Sequence, residues 1–267
     1  MEENYLMDNR PIGILDSGLG GLTVLKKVIQ RLPNESTIFI GDQAHMPYGD
    51  RTVEDIINLT RASVKFLLTK NVKVIIFGCN TATAAAMSVI QQEIPMQIIG
   101  VIQSGALAAS KITQTNQVAV IATNATVNSH SYVKEIAFRN AQIQVTELGE
   151  PKLAPLVEAN PSDKIKKAVV AQCLAPLKHV QYDTLILGCT HYPLLIKEIA
   201  EFIGKDKKIV DPADQVAQYT FNVLKRDNLL AEKGGKHEYY TTGDPIKFMK
   251  IAQKWMHDPT LKAQHVE

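Results

Sequence analysis

The 267-residue sequence has little of several features that would mark broad classes of protein. Lys and Arg number 29 against 27 Asp and Glu, so a formal net charge of +2 provides no broad positive field for nucleic acid or anionic lipid. No stretch has the roughly 18 apolar residues that a membrane-spanning helix needs, and residues 1–10 lack the apolar run of a signal peptide. The three cysteines cannot all pair within the chain. These absences predict a soluble cytoplasmic protein with reduced thiols, which binds neither nucleic acid nor membrane.

What the sequence does contain is an alternation of short β-branched runs with longer stretches of apolar residues at helical spacing. Several of the short runs are apolar throughout, as strands buried on both faces are. Helix-length connectors between such runs are typical of βαβ units. The pattern predicts an α/β fold with mostly parallel sheets, whose strands lie at residues 12–15, 37–40, 72–77, 97–101, 117–121, 143–146, 184–187 and 208–210.

An internal repeat divides the chain into two similar α/β halves. The segment 74–81 ends in Gly-Cys-Asn-Thr and resembles the segment 184–191, which ends in Gly-Cys-Thr-His 110 residues later. The strand at 98–101 corresponds to residues 208–211 at the same offset, and the strand ending at Asp16 has a counterpart ending near Thr123. Buried strands resemble one another by chance, so the shared Gly-Cys-polar ending is the informative part of the match.

Both Gly-Cys pairs lie where ligands bind in a parallel sheet, just beyond the carboxyl ends of strands. A thiol at a helix N-terminus has its pKa lowered, so Cys79 and Cys189 are expected to ionise near neutral pH. A lone cysteine is more often a small buried apolar residue, and Cys173, which has no preceding glycine, is expected to be one. The sequence contains no C-x-x-C motif and no two histidines at i and i+4, so it does not indicate a metal site.

Two thiols across one pocket suit the inversion of a stereocentre, which needs a base on one face of a carbon atom and an acid on the other. Asp16 and His191 are candidate supports for the proton transfers. The loop after Asp16 also resembles a dinucleotide-binding loop, but it reads G-x-G-G rather than G-x-G-x-x-G. Hydroxyl and amide donors near both cysteines favour a bound carboxylate: Asn80, Thr81, Thr123, Thr126 and Thr190.

Taken together, these motifs resemble the glutamate racemase family, the cofactor-independent Asp/Glu racemases. The resemblance extends from Gly13 to about Asp211. Four motifs in order carry it: Gly13 to Leu22, Gly41-Asp42 with Pro47-Tyr48-Gly49, Gly78-Cys79-Asn80-Thr81-Ala82, and Gly188-Cys189-Thr190-His191-Tyr192-Pro193.

The resemblance implies interconversion of L- and D-glutamate by two bases, without pyridoxal phosphate or metal, in a cleft between the halves. Cys79 would act on D-glutamate with help from Asp16, and Cys189 on L-glutamate with help from His191 and Glu158. It also implies a first domain of residues 1–98 plus 211–267, a second of residues 99–210, a homodimer, and a product used for peptidoglycan and cell shape. The substrate would be held by Asp16, Ser17, Tyr48, Gly49, Asn80, Thr81, Thr123, Thr126, Thr190 and His191.

Three other functions stay open from sequence alone. Racemisation of aspartate or another acidic amino acid is one, because pocket length cannot be read from sequence. A cysteine-dependent hydrolase would need only one thiol, and a non-catalytic amino-acid-binding paralogue would need neither. The chain also departs from the usual family pattern at four positions: His45, Gln103, His130 and Glu150.

Overall fold

Two parallel sheets organise the chain in a computed structural model that describes residues 8–267. Residues 1–7, part of the stretch expected to lack a signal peptide, lie outside the described residues. The strands are β1 (Ile12–Asp16), β2 (Thr37–Gly41), β3 (Val74–Phe77), β4 (Ile98–Gly100), β5 (Gln117–Ala122), β6 (Gln144–Gly149), β7 (Thr184–Gly188), β8 (Lys208–Val210), β9 (His237–Thr241) and β10 (Ala263–His265).

The helices occupy the connections that the apolar spacing predicts. They are α1 (Leu22–Arg31), α2 (Val53–Thr69), α3 (Asn80–Glu93), α4 (Val101–Ile112), α5 (Asn124–Ser129), α6 (Ser131–Arg139), α7 (Leu153–Ala159), α8 (Asp163–Cys173), α9 (Ile196–Ile203), α10 (Pro212–Arg226) and α11 (Pro245–Met256). In the described residues 8–267, no helix is long and apolar enough to cross a membrane.

The internal repeat predicted from the Gly-Cys segments is present in the sheets. The six-stranded sheet has the order β10-β9-β2-β1-β3-β4 and the four-stranded sheet has the order β6-β5-β7-β8. Both therefore contain the same parallel four-strand unit, with β1, β2, β3 and β4 equivalent to β5, β6, β7 and β8. The predicted α/β fold of two pseudo-symmetric halves is confirmed.

Each sheet is covered on both faces, as its apolar strands require. In β1, Ile14 belongs to the apolar cluster on one face and Leu15 to the cluster on the other. In β5, Ile121 and Val120 alternate between two further clusters in the same way. Because the strands are parallel, their carboxyl ends all point toward one edge of each sheet, and the polar residues that follow them meet there.

One buried ion pair lies at the opposite end of the first sheet. The Lys73 ammonium is 2.5 Å from the Glu35 carboxylate and donates to the carbonyls of Asp8 and Leu229, each at 2.6 Å. Both charged side chains are almost completely buried. The pair therefore joins residues near Asp8 and the loop after α10 to the segments that precede β2 and β3.

Candidate active site

Cys79 lies directly beyond β3 and caps helix α3, as the sequence predicts. Its sulfur accepts a hydrogen bond from the Ala82 N–H at 3.4 Å, and its thiol donates to Ser17 Oγ at 3.4 Å. The expectation of a lowered pKa is wrong for this cysteine. Burial and the neighbouring Asp16 carboxylate raise the pKa of the Cys79 thiol to about 12, which outweighs the helix N-terminus. Cys79 is therefore a neutral thiol at neutral pH.

Asp16 ends β1 next to Cys79 and is almost completely buried. One carboxylate oxygen, Oδ2, accepts from the Gly18 N–H at 3.0 Å, and Oδ1 has no hydrogen-bond partner. Burial raises the pKa of Asp16 above its usual range, because a charged carboxylate loses its hydration there. A buried acceptor without a partner is uncommon in folded proteins and marks a place where a ligand donor can bind.

Cys189 occupies the equivalent position beyond β7, but it does not cap an α-helix. A 3₁₀ turn (Tyr192–Leu195) separates it from α9, so the predicted helix N-terminus is absent at this sulfur. Its sulfur instead lies 3.9 Å from His191 Nδ1, while His191 Nε2 lies 2.8 Å from Glu158 Oε1. The structure thus brings together the three residues that the family resemblance grouped at this end of the site.

His191 carries a positive charge at neutral pH. Burial alone would lower the pKa of this imidazole, but the hydrogen bonds to Cys189 and Glu158 and the nearby negative charges raise it to about 10. The resulting imidazolium places a positive charge 3.9 Å from the Cys189 sulfur. The two cysteines therefore differ in their electrostatic surroundings, although they occupy equivalent positions in the two halves.

Polar contacts from both halves meet around Cys79. The Thr81 hydroxyl lies 3.0 Å from that of Thr123 and 3.4 Å from that of Thr126. The Tyr132 hydroxyl donates to Asn80 Oδ1 at 2.8 Å, and the buried Asn80 Nδ2 has no partner. Asn80, the residue after Cys79, therefore keeps a buried amide donor that no protein group uses.

The remaining predicted contacts lie on the loop after β2 and on the loop after β7. The Tyr48 hydroxyl donates to Asp42 Oδ2 at 2.6 Å, and a Cβ built on Gly49 would lie 3.4 Å from Thr123 Cβ. The Thr190 carbonyl accepts from the Thr23 hydroxyl at 2.9 Å. Most of the predicted site residues therefore lie at strand ends or on the loops and first helical turns that follow them, whereas Glu158 lies near the end of α7.

The glycine loop after β1 serves a packing role rather than the dinucleotide site considered from sequence. A Cβ on Gly20 would overlap Thr190 Oγ1 and would lie 2.6 Å from His191 Nδ1. Gly41 allows an equally close approach of the Gly18 carbonyl. Gly20 thus lets Thr190 and His191 of the second half come close to the first, whereas Gly41 lets the two loops of the first half pack together.

Four residues near the site were not predicted as site residues. Asp42 accepts from His45, Tyr48 and Thr242 at 2.6–2.7 Å, so it fixes the loop that carries Tyr48. In sequence it was marked by its place after β2 and by its membership of the Gly41-Asp42 motif, but neither assigned it a role. The other three act across long sequence separations that no local pattern reveals: Thr23, Tyr132 and Trp255.

The four departures from the family pattern lie at different distances from these residues. His45 is the one at the site, since its Nδ1 is 2.7 Å from Asp42 Oδ1. Gln103 donates to Glu135 at 3.2 Å, and His130 lies 2.8 Å from Glu147. The Glu150 carbonyl accepts from the Tyr192 hydroxyl.

A cavity of about 570 Å³ opens beside the predicted substrate contacts. Gly49 and Thr81 line its inner end, and Arg51 and Lys134 add positive charge to its walls. Cys79, Cys173 and Cys189 are all free and buried, and Cys173 packs in the second-half core as predicted. Among residues 8–267, no group of three or more His, Cys, Asp or Glu side chains is arranged to hold a metal ion.

Two equivalent cysteines with separate acid–base partners, at the edges of two repeated α/β units, are the features of a racemase. The chain belongs to the Asp/Glu/Hydantoin racemase family, whose sequence profile matches residues 12–220. It is 66% identical over 263 residues to the glutamate racemase of Lactobacillus johnsonii, with 98% of this chain and 99% of that protein covered. The resemblance drawn from the sequence motifs is confirmed.

Comparison with solved structures also finds glutamate racemases. The glutamate racemase isoform RacE1 of Bacillus anthracis superimposes with a TM-score of 0.95 at 37% identity, covering 97% of this chain and 98% of that one. The glutamate racemase of Francisella tularensis, in complex with D-glutamate, superimposes with a TM-score of 0.89 at 33% identity, covering 98% of both chains.

Proposed function

We propose that this protein interconverts L- and D-glutamate by proton transfer at Cα between two cysteines, Cys79 and Cys189. The observation that carries the proposal is the equivalence of the two sulfurs in the repeated halves, each with its own titratable partners. Asp16 lies beside Cys79, and His191 with Glu158 lies beside Cys189. The glutamate racemase activity itself is supported by high identity to glutamate racemases across nearly the whole chain.

The charges of the free site favour one starting state. The Cys79 thiol keeps its proton, and the positively charged His191 imidazole lies 3.9 Å from the Cys189 sulfur. In this state Cys189 removes the Cα proton of L-glutamate, and Cys79 then delivers a proton to the opposite face. The product is D-glutamate, and the protonation states of the sulfurs are exchanged. The reverse reaction starts from that exchanged state, with Asp16 assisting Cys79 as the base.

Groups with unused hydrogen bonds provide the means to hold a zwitterion. Asn80 Nδ2 is a buried donor without a partner and suits a substrate carboxylate. Asp16 Oδ1 is a buried acceptor without a partner and suits the substrate ammonium. The other proposed contacts are Ser17, Tyr48, Gly49, Thr81, Thr123, Thr126, Thr190 and His191.

The biological setting is proposed from the same family membership. D-glutamate made in the cytoplasm would supply peptidoglycan synthesis and so maintain cell shape. The proposed assembly is a homodimer, and the proposed domains are residues 1–98 plus 211–267 and residues 99–210. Sedimentation analysis of the purified protein tests the dimer, because a monomeric mass at micromolar concentration would contradict it.

The activity is tested with purified protein and L-glutamate in deuterated water. We expect loss of optical rotation together with exchange of the Cα hydrogen for deuterium. Cys79→Ala and Cys189→Ala should each abolish racemisation, because each removes the acid or base on one face. Cys173→Ala is the matched control and should stay active.

Two results would contradict the proposal. A folded wild-type protein that leaves L-glutamate unchanged would exclude the activity, and full racemisation by either single-cysteine variant would exclude the two-base assignment. L-aspartate assayed in parallel measures the preference for the longer side chain. Binding of glutamate without exchange would identify a non-catalytic binding protein instead.

A further inference from the structure

Trp255, the one tryptophan of the sequence, lies against the proposed catalytic pair at Cys189. It sits in the last turn of α11, far from Cys189 in sequence. Its indole ring is perpendicular to the His191 imidazole, with an interplanar angle of 89° and ring centroids 5.8 Å apart. Perpendicular aromatic rings at this separation attract one another beyond the effect of burial alone.

The indole also joins the two halves of the molecule. It packs against the apolar cluster beside the first sheet and against the cluster that contains Cys189 in the second half. The Lys26 ammonium of α1 donates to the Trp255 carbonyl at 3.0 Å. The main chain at Trp255 is therefore held to the first half, whereas its ring contacts His191 of the second.

The imidazole must satisfy two contacts at once. Nε2 lies 2.8 Å from Glu158, a full hydrogen bond, whereas Nδ1 lies 3.9 Å from the Cys189 sulfur, close to the upper limit for a hydrogen bond to sulfur. If the hydrogen bond from Nε2 to Glu158 were its only restraint, the imidazole could tilt about that contact. Nδ1 would then move away from the Cys189 sulfur. A rigid neighbour against the ring prevents this rotation.

We infer that Trp255 is a positioning residue for the known family reaction, which holds the His191 imidazole in line between Glu158 and Cys189. It does not touch the reacting carbon; it acts through His191 on the proton transfer at Cys189 only. Through it, α11 and the C-terminal part of the chain set the geometry of one of the two half-reactions. The inference rests on the proposed function, because it needs both sulfurs to transfer protons.

The test uses primary deuterium isotope effects on kcat/KM with L- and D-glutamate labelled at Cα. Racemisation has an equilibrium constant of one, so a defect at either sulfur lowers kcat/KM equally in both directions. The isotope effects distinguish the sulfurs. A defect at one sulfur makes removal of the Cα hydrogen by that sulfur more rate-limiting. The isotope effect therefore rises for the enantiomer from which that sulfur removes the hydrogen, and it falls for the other enantiomer.

His191→Gln gives the reference pattern for a defect at Cys189. We expect Trp255→Leu to lower kcat/KM about 10-fold or more and to shift the two isotope effects in the same directions as His191→Gln. Trp255→Phe retains an aromatic ring and should restore most of the activity. The matched control is Met256→Ala, which changes the next residue of α11 at the first-half cluster and should leave both isotope effects unchanged.

The possible outcomes separate the two proposals. If wild-type protein does not racemise glutamate, the proposed function fails. If it does, and Trp255→Leu leaves both isotope effects at wild-type values or shifts them opposite to His191→Gln, Trp255 is only a packing residue. If Trp255→Leu does not fold, as circular dichroism would report, Lys26→Met takes its place. That variant removes the hydrogen bond to the Trp255 carbonyl, and an unchanged isotope pattern would overturn the inference.

Discussion

At the scale of the residue, Cys79 and Cys189 occupy equivalent positions in the two halves but have different electrostatic surroundings. Burial and the Asp16 carboxylate keep a proton on Cys79, whereas Cys189 lies beside the positively charged His191 imidazole. The sequence repeat predicted the positions of both sulfurs. The difference between them comes from neighbours that the fold supplies, so a helix N-terminus alone was a misleading guide to the ionisation of Cys79.

His191 should make the stability of the protein depend on pH above neutrality. Its folded-state pKa of about 10 lies above the ordinary imidazole value of 6.5, so its contribution is complete below pH 6.5 and is lost as pH rises toward 10. We expect the free energy of unfolding to fall over this range in wild-type protein and to fall less in His191→Gln. Urea unfolding between pH 6.5 and 10 measures the difference, and parallel curves for the two proteins would refute this prediction.

At the scale of the element, the loops that follow β1 and β7 determine how closely the halves approach. Gly20 leaves room for Thr190 and for the His191 ring, and the Thr190 carbonyl accepts from Thr23 on α1. The glycine is needed here because a side chain would occupy the space used by the second half. These loops therefore position the catalytic groups as well as connecting strands to helices.

Gly20→Ala tests this role of the loop. The added methyl group would lie 2.6 Å from His191 Nδ1, the atom that faces Cys189, so it must displace the imidazole. We expect kcat/KM for glutamate to fall about 100-fold while the circular dichroism spectrum stays that of wild-type protein. Gly234→Ala, where no atom lies within 4 Å of an added Cβ, is the matched control. Wild-type activity in Gly20→Ala would show that the loop tolerates a side chain.

At the scale of the whole molecule, the site forms from reciprocal contacts between the halves. Tyr132 of the second half donates to Asn80 beside Cys79, and Thr23 of the first half donates to the carbonyl of Thr190 beside Cys189. The threonine hydroxyls at 81, 123 and 126 add a third contact across the cleft. Neither half alone contains a complete set of groups around its cysteine.

Tyr132→Phe should weaken both the fold and the site. It removes the buried donor to Asn80 Oδ1, and a buried acceptor left without a partner costs about 1–3 kcal/mol of stability. We expect urea unfolding at lower denaturant and a higher KM for glutamate, because Asn80 is a proposed substrate contact. Tyr219→Phe, at an exposed tyrosine on α10, is the control. An unchanged KM with reduced stability would assign Tyr132 to folding alone.

The sequence was most informative where local pattern determines structure. All eight predicted strands are present, and most of them are recognisable as the apolar runs typical of buried parallel strands. β9 and β10 were missed, since His237–Thr241 and Ala263–His265 are short and rich in polar residues and are defined by pairing at the sheet edge. The contacts of Trp255 and Tyr132 could not be predicted either. They depend on how the two halves pack against each other, and the internal repeat does not determine that packing.

The first sheet contains two strands, β9 and β10, that come later in the chain than every strand of the second sheet. β9 pairs with β2 across about 200 residues of chain, and Trp255 follows β9, whereas β5 to β8 all precede residue 211. Because domains fold as they are synthesised, the second sheet is complete while β2 still lacks one neighbour. A nascent chain that has reached β8 therefore contains both thiols but not Trp255. If Trp255 positions His191 as proposed, we expect proton transfer at Cys189 to begin only after α11 has been made and packed.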